Sequence, residues 1–477
     1  MSLSSLRSAL VALALALAPL AATDFSTRFE ELKTHATPAQ LYALLYALPK
    51  GGDLHNHAGG ANLTESTFAI CTDPARNGGD TFYTRVHFTG PPDAVAATAR
   101  FRTVRRHVYE ALSPAIRAEY VALSDLTPAE RAEWCNAFRL DAAGEGRFEF
   151  FQNIWPRQSG IGRNLHVRTE QLVANIKAFA AEGLAYLETQ FDVDDSADNS
   201  GEPIPRETAV AFVRARLAQP DVVATGLVVR FQYTVLRFAP RAETELASAY
   251  AFVDSHRDLW VGMNLAGIEE NGFGYPARFL APFRQLRARY PGIALSIHAG
   301  EMDGPDHHIR DTLLLGATRI GHGVNLIQDP DTLLLVQQSQ RVLVEINLIS
   351  NRLLEYTPDL AKHPFPEYLR TGVPVCLNTD DRGMWDSNLT DEYYTAVTTF
   401  NLSWAEIVQL GRNSLTHAFV QPEVKAKLLA DYERAIATFE STYGSVPTTE
   451  SALAALTAVK PVTYGYAKRT WGFSFAP

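Results

Sequence analysis

The sequence predicts an α/β fold, and within that class a (β/α)8 barrel of the TIM type. Eight apolar runs with strand character alternate with helical stretches, and this alternation implies parallel strands joined by helices. Polar and ionisable residues cluster at the C-terminal ends of several of these runs. A closed barrel gathers all such ends on one face, whereas an open doubly wound sheet would spread them along an edge. The barrel is therefore favoured over the open sheet.

The strand-like runs can be located one by one. The first ends at His57, and the others cover residues 185–191, 222–235, 259–266, 293–298, 318–324, 342–348 and 373–380. A helical pattern from Val167 to Glu182, closed by Gly183, comes before the second run. The polar residues at the ends of the runs are His55, His57, Glu188, Glu269, His298, Glu301, His322, Asn347, Asp380 and Asp381.

Residues 1–22 have the pattern of a cleavable secretory signal. Arg7 precedes an apolar run from Ala9 to Leu17, and small residues follow at Ala21 and Ala22. A membrane anchor or a plain helix is the alternative. No later run approaches the ~20 apolar residues of a membrane span, so we expect no stable membrane insertion. The mature chain, residues 23–477, is predicted to be secreted or periplasmic.

The segment at about residues 71–146 differs in character from the rest of the chain. It contains Asn77-Gly78-Gly79, Gly90-Pro91-Pro92 and charged helical stretches, without a run typical of a buried strand. We interpret it as an insertion after the first strand that covers the mouth of the barrel. It could cap the pocket, mediate a homodimer, or do both.

The chain has three cysteines. Export permits a disulfide, and Cys71 with Cys135 is the most favourable pair. Cys376 lies within the apolar run of residues 373–377 and is expected to be a core thiol.

Composition limits which classes of protein and which partners are expected. The 477 residues are 46% hydrophobic, enough for the core of one large enzyme domain. The formal net charge is -10, and no run of Lys or Arg is present. Proteins that bind a phosphate backbone need a basic surface to displace counterions, so nucleic acid is not an expected partner.

Several strand-end residues have the chemistry of a metal site. His55 and His57 are two residues apart on a strand, so both side chains point the same way and can bind one ion. His298 and Asp380, at the ends of other strands, supply further ligands. Three imidazoles with a carboxylate suit zinc, and suit iron or cobalt less well. Such an ion would make hydroxide available near neutral pH.

Two further residues could handle protons beside the metal. A non-ligand histidine such as His322 can orient the nucleophile or take up its proton. Glu301 can donate a proton to the substrate if burial raises its pKa. Each residue alone could equally be structural, but together at strand ends they indicate a catalytic site.

Other residues have two interpretations from the sequence alone. Phe148, Phe150, Phe151 and Trp155 could wall a purine pocket, or they could be ordinary packing. Glu188 and Gln190 are candidates to orient a metal histidine, or simply to form a hydrogen bond inside the barrel. The charged residues at 306–308 are expected to be solvated loop residues.

The ordered motifs resemble those of the adenosine deaminase family, a metal-dependent (β/α)8 group. The motifs are His55-Asn56-His57, His298-Ala299-Gly300-Glu301, Arg319-Ile320-Gly321-His322-Gly323, Ser350-Asn351 and Asn378-Thr379-Asp380-Asp381. The resemblance runs from about Gly51 to Asp381, without the insertion. The secretory signal and the insertion make the chain most similar to the exported adenosine deaminase growth factor branch.

The resemblance implies a role for each matching position. His55, His57, His298 and Asp380 would bind one zinc ion. Glu301 would protonate the purine ring at N1, His322 would orient the attacking hydroxide, and Asp380 would help to accept its proton. Asp381 would hold N7, and the backbone N–H of Gly267 would meet N3. The implied activity is the hydrolytic deamination of adenosine, or a close 6-aminopurine nucleoside, to the 6-oxo product and ammonia.

The chain departs from the family pattern at two places. Where the family continues its first motif with Leu-Asp-Gly, this chain has Ala58-Gly59-Gly60, so a carboxylate expected near the ribose is absent. Where the family has Gly-Asp-Glu, the chain has Gly267-Ile268-Glu269. Two alternatives therefore stay open: a metal-dependent amidohydrolase acting on another substrate, and a non-catalytic, growth-factor-like binding protein.

Overall fold

The computed structural model describes residues 25–88, 100–270, 272–304, 306–473 and 475. The strands in these residues, numbered in chain order, are β1 (Gly51–Asp53), β2 (Phe82–Arg85), β3 (Thr103–Arg105), β4 (Tyr120–Ala122), β5 (Leu184–Gln190), β6 (Val228–Leu236), β7 (Trp260–Ala266), β8 (Ala294–Ala299), β9 (Arg319–His322), β10 (Leu343–Ile346) and β11 (Val375–Leu377). The predicted signal, residues 1–22, lies outside the described residues.

Eight of these strands form the predicted (β/α)8 barrel. Neighbouring strands pair in parallel in the order β1-β5-β6-β7-β8-β9-β10-β11. A parallel bridge between Asn56 and Asp380 joins the chain after β1 to the chain after β11. The N–H of Asp380 donates to His55 O at 2.9 Å in the same region. The ends of β1 and β11 are therefore held side by side, which closes the barrel where the predicted ligands lie.

Helices surround the barrel. After β5 they are Arg206–Leu217, Pro220–Val223, Ala242–Ser255, Leu280–Arg289, His308–Leu315, Pro330–Ser339, Leu348–Leu353, Phe365–Thr371, Arg382–Trp385, Leu389–Phe400, Trp404–Thr416, Pro422–Gly444, Thr449–Ala455 and Gly465–Trp471. The predicted helix before β5 is confirmed as Leu165–Ala181, and the Asn164 side chain caps it by accepting from Val167 N. The run at 222–235 is a strand only from Val228, because Pro220 begins a short helix that ends at Val223.

The segment between β1 and β5 contains its own small fold. Its helices are Pro128–Asn136 and several shorter ones: Thr64–Cys71, Arg106–Ala111, Pro114–Arg117, Arg147–Glu149, Trp155–Arg157 and Ser159–Gly162. β2 pairs with β3 and with β4 in an antiparallel sheet. These strands were not predicted from the sequence, because three or four residues are too few to show a period of two.

The proposed disulfide between Cys71 and Cys135 is wrong. Both cysteines are buried free thiols, as is Cys376. Cys71 and Cys135 pack with Phe68 and Trp134 in a hydrophobic cluster separate from the barrel core. They contribute to this cluster as small apolar side chains. In the part of the chain that the structure describes, none of the helices has the length and apolarity needed to cross a membrane.

Candidate active site

The predicted metal ligands converge at the C-terminal face of the barrel. His55 and His57 follow β1, His298 lies in β8, and Asp380 follows β11. The Nε2 atoms of His57 and His298 are 3.1 Å apart. Asp380 Oδ1 lies 3.3 Å from His57 Nε2 and 3.5 Å from His55 Nε2. Donor atoms carried by three separate strands therefore point at one position.

Hydrogen bonds behind two of the rings determine which nitrogen faces this position. His55 Nδ1 donates to Glu345 Oε2 at 2.8 Å, and His298 Nδ1 donates to Asn264 Oδ1 at 2.9 Å. The Nε2 lone pair of each ring is thus left for a ligand. Within the described residues, the buried atoms His55 Nε2 and Asp380 Oδ1 have no hydrogen-bond partner. Imidazole nitrogens with an orphaned carboxylate oxygen fit a divalent cation such as zinc.

Carboxylates around His55 favour positive charge at this position. Burial lowers the pKa of the His55 ring, but the neighbouring carboxylates of Asp380 and Glu345 outweigh burial and raise the pKa to about 10. Burial, followed by the neighbouring His55 and His57, lowers the pKa of His298 well below its usual range. Because a ligand imidazole must be neutral, a bound cation would take the place of the proton on His55.

Glu301 meets the condition set for a proton donor. Burial, and then the negative charges of Asp380 and Glu269, raise the pKa of Glu301 well above its usual range. The protonated form of the carboxyl group is therefore favoured. Glu269 also accepts hydrogen bonds from the backbone N–H groups of Gly300, at 3.1 Å, and Glu301, at 3.3 Å. The loop that carries the acid is thus held by a second carboxylate.

Glu269 is in turn held by residues of other loops. His308 Nδ1 lies 3.1 Å from Glu269 Oε2, and Arg237 Nη1 lies 3.5 Å from Glu269 Oε1. Arg237 also donates to His298 O at 2.6 Å and to Gly267 O at 2.8 Å. The expectation that residues 306–308 are solvated is therefore wrong for His308, because it pairs with a fully buried carboxylate.

His322 and Asp380 share an unusual backbone conformation. Their φ angles are 64° and 51°, in the left-handed region that residues other than glycine rarely adopt. Strain of this kind is typical of functional sites. His322 Nε2 lies 3.6 Å from Glu301 Oε2 and has no hydrogen-bond partner within the described residues. Burial, together with the charge of His55, lowers the pKa of His322 well below its usual range, so the ring is neutral.

A cavity of about 520 Å³ opens over these groups. One end is polar and is formed by His57, His298, Glu301, His322, Asp380 and Asp381. The other lining residues are mainly apolar: Phe150, Phe151, Gln152, Trp155, Thr234, Leu236, Phe238, Ala266, Gly267 and Ile268. Three of the four aromatic residues, Phe150, Phe151 and Trp155, line this cavity, whereas Phe148 is 74% exposed and does not. Shape and polarity suit a flat heterocycle held at one polar end.

Gly267 lies in the lining of the cavity. Its φ angle is 103°, and a Cβ atom there would lie 2.5 Å from the ring of Phe238. A glycine is therefore needed for the backbone to line the cavity beside this ring.

The departure at Ala58-Gly59-Gly60 has a structural counterpart. A Cβ atom on Gly59 would lie 3.3 Å from the Trp155 ring, so the indole covers the place of the missing carboxylate. A Cβ atom on Gly60 would lie 1.6 Å from Asp381 Oδ1. Gly60 therefore allows Asp381 to approach the backbone, and Trp155 closes this side of the cavity.

The residue that orients His55 was missed by the sequence analysis. Glu188 had been a candidate for this role, but it forms an ion pair with Arg319 instead. Glu345, in β10, contacts His55 and also lies 2.7 Å from Arg319 Nε. A carboxylate in the middle of an otherwise apolar strand was the available signal. Gln190 does approach the site, with Nε2 3.4 Å from His57 Nε2.

The chain matches known proteins in sequence and in fold. The family model for adenosine deaminase matches residues 112–434. This range contains His298, Glu301, His322 and Asp380, and it leaves out the first strand. A curated adenosine deaminase from Enterococcus faecalis is 38% identical over 255 residues, which are 53% of this chain and 72% of the relative.

Solved structures share the fold. An adenine deaminase from Arthrobacter aurescens superposes with a TM-score of 0.59 at 21% identity, over 82% of this chain and 99% of that chain. An amidohydrolase from Burkholderia ambifaria, solved with bound zinc, gives a TM-score of 0.56 at 19% identity, over 84% of this chain and 95% of that chain.

Proposed function

Since the chain belongs to the adenosine deaminase family, we propose that it is a zinc-dependent enzyme that deaminates adenosine, or a close 6-aminopurine nucleoside. One observation carries the proposal: the imidazole and carboxylate ligands converge beside the buried carboxyl group of Glu301 at the polar end of one cavity. A binding protein has no need of such a set, which disfavours the non-catalytic alternative.

The residues present would hold the metal and the substrate together. His55, His57, His298 and Asp380 would hold the zinc ion, which supplies an activated water near neutral pH when bound. Asp381 lines the same end of the cavity, and burial together with Asp380 raises its pKa well above the usual range. A protonated Asp381 can donate to the lone pair of the purine N7. The Gly267 N–H would donate to N3 in the same way.

The reaction follows from where the protons lie. Glu301 gives its proton to N1, which makes C6 electrophilic, while the water oxygen bonds to C6 and passes a proton to Asp380. The C6 centre becomes tetrahedral. Asp380 then protonates the amino group, the C6–N6 bond breaks, and ammonia leaves. The remaining proton on the new oxygen returns to Glu301, which leaves the 6-oxo purine protonated at N1.

The lining also bears on the form of the substrate. Among the described residues that line the cavity there is no Lys or Arg, and three of them are Glu301, Asp380 and Asp381. A 5′-phosphate needs cationic or N–H donors, so its dianion would be disfavoured in this cavity. A neutral nucleoside fits better, with its sugar against the apolar wall.

A substrate panel tests the proposal. The zinc-loaded protein is incubated with adenosine, adenine, adenosine 5′-monophosphate and a set of non-purine amides, and ammonia release is measured with the loss of adenosine absorbance. We expect kcat/KM to be highest for adenosine and at least ~100-fold lower for the monophosphate. Turnover of the non-purine amides alone would favour the amidohydrolase alternative. No turnover by a protein with full zinc content would favour the binding protein.

We also propose that the chain is exported, on the pattern of residues 1–22 and not on any described part of the fold. Expression of the full sequence in a secreting host, followed by N-terminal sequencing of the extracellular or periplasmic product, tests this. A product that begins near Thr23 is expected, and an intact N-terminus on cytoplasmic protein would contradict export.

A further inference from the structure

The side chains behind His322 form a chain of hydrogen bonds that can run in only one direction. The backbone N–H of Phe365 donates to His363 Nδ1 at 3.1 Å. A backbone N–H cannot accept, so Nδ1 must be the unprotonated nitrogen of His363, and the ring proton lies on Nε2. Burial lowers the pKa of His363 to about 3, which keeps this ring neutral. The donor and acceptor nitrogens of His363 are therefore fixed.

The next hydrogen bond fixes the orientation of an amide. His363 Nε2 lies 3.1 Å from Asn351 Oδ1 and donates to it. This bond determines the orientation of the Asn351 amide, whose oxygen and nitrogen have nearly the same shape. Asn351 Nδ2 then lies 3.0 Å from His322 Nδ1 and donates. His322 Nδ1 is thus an acceptor, and the proton of the neutral ring lies on Nε2.

A second amide near His322 does not determine this arrangement. Asn347 Nδ2 lies 3.3 Å from the same Nδ1 atom. Its Oδ1 atom is buried and has no hydrogen-bond partner within the described residues, so nothing fixes which end of this amide faces the ring. Asn351, His363 and His322 are all at most 1% exposed, so water does not compete for their bonds. The orientation of His322 therefore depends on Asn351 and His363.

We propose that Asn351 and His363 are positioning residues that hold His322 in the tautomer protonated at Nε2. In this form His322 directs an N–H into the cavity, where Nε2 has no other partner among the described residues. The ring can donate to the attacking oxygen and stabilise its negative charge, but it cannot take a proton from it. This inference rests on the proposed function, because it assigns one of the two roles that the sequence left open for His322.

Reversing one hydrogen bond in this chain tests the proposal. Asn351→Asp keeps the shape of the side chain but replaces the amide donor by a carboxylate oxygen. His322 Nδ1 must then donate, and a neutral ring that carries its proton on Nδ1 has none on Nε2. We expect kcat to fall by ~10²–10⁴-fold, the range seen when a catalytic histidine is held in the wrong tautomer. KM and zinc content should change little, because the purine contacts and the ligands are untouched. Wild-type kcat in this variant would overturn the proposal.

The tautomer itself can be observed without turnover. The zinc-loaded enzyme is labelled with 15N-histidine, and the His322 signals are assigned by their loss in His322→Asn. We expect the protonated nitrogen of His322 to be Nε2 in the wild type and Nδ1 in Asn351→Asp. A wild-type ring protonated at Nδ1 would overturn the proposal, and so would a site of protonation that is unchanged in the variant. This readout stays valid even if no purine is deaminated, a result that would contradict the proposed function instead.

A pair of variants separates positioning from packing. His363→Gln places an amide donor near the former Nε2 position, whereas His363→Leu fills similar space without a donor. We expect kcat within ~3-fold of wild type for the Gln variant and at least ~10-fold lower for the Leu variant. Unfolding by urea is measured for both. If both variants lost activity equally, or only in proportion to stability, His363 would be a packing residue and the proposal would fail.

Discussion

The clearest test of the metal site is the substitution Glu345→Gln. The Glu345 carboxylate accepts from His55 Nδ1 at 2.8 Å and from Ser296 Oγ at 3.1 Å, and it pairs with Arg319 Nε at 2.7 Å. Glutamine has the same shape but no charge, and its single carbonyl oxygen cannot serve both His55 and Arg319. One buried donor therefore loses its acceptor.

The size of the effect follows from these contacts. Loss of the charged acceptor behind a metal histidine weakens metal binding by roughly 10–100-fold, which corresponds to about 1.4–2.7 kcal/mol. Removing one of the two carboxylate partners of a buried arginine should also lower the free energy of unfolding of the metal-free protein, by about 2–4 kcal/mol. Arg319 is fully buried and retains Glu188 as its second partner.

Glu188→Gln is the matched control. It removes the other carboxylate partner of the same arginine, but Glu188 does not contact a metal histidine. Zinc dissociation constants are measured by competition with a chromogenic chelator, and urea unfolding is measured on the metal-free proteins. We expect comparable losses of stability, with zinc affinity changed less than ~3-fold in Glu188→Gln. Equal zinc affinities in the two variants would refute the assigned role of Glu345.

Three further predictions use other parts of the structure. Glu301→Gln should keep full zinc content, measured by atomic emission, and lose ~10²–10⁴-fold in kcat, because it removes the proton for N1; wild-type turnover would exclude Glu301 as the acid. Gly60→Ala should raise the KM for adenosine by at least ~10-fold, since its Cβ would lie 1.6 Å from Asp381 Oδ1; an unchanged KM would show that Asp381 does not hold the purine. Burial raises the pKa of Asp391 to about 8, although the hydrogen bond from Tyr42 lowers it. The native state therefore binds this proton more tightly than the unfolded state does. The proton's contribution to the free energy of unfolding is full below pH ~4 and decreases by about 1.4 kcal/mol per pH unit as the pH rises towards 8. Asp391→Asn should flatten the slope of unfolding free energy measured between pH 5 and 8, and an unchanged slope would show that Asp391 does not titrate in this range.

The eight barrel strands were predictable because each is a local pattern. An apolar run followed by a polar strand end is visible in one stretch of sequence, as at residues 293–298 and 373–380. The short strands β2, β3 and β4 lacked such a pattern. The disulfide prediction failed for a related reason: spacing shows which cysteines could pair, but only packing shows that Cys71 and Cys135 serve as apolar side chains.

The partners of the site residues show the same limit. His55 is 290 residues from Glu345, and His298 is 34 residues from Asn264. No spacing rule links such pairs, since parallel strands bring them together only when the barrel closes. Glu188 was a reasonable candidate from its strand position, yet its carboxylate accepts hydrogen bonds from Tyr186, Gln232, Arg319 and Phe419 and not from a histidine.

The barrel and the family could be predicted from the chain alone, and so could the positions proposed as metal ligands and as the acid, because each depends on a local pattern or on motifs in chain order. The folded structure was needed to show that Glu345 contacts His55, that Trp155 covers Gly59, and which ring nitrogen of His322 faces the cavity. These features depend on the direction of hydrogen bonds and on contacts between distant segments. Folding brings those segments together, and the order of residues along the chain does not record the geometry in which they meet.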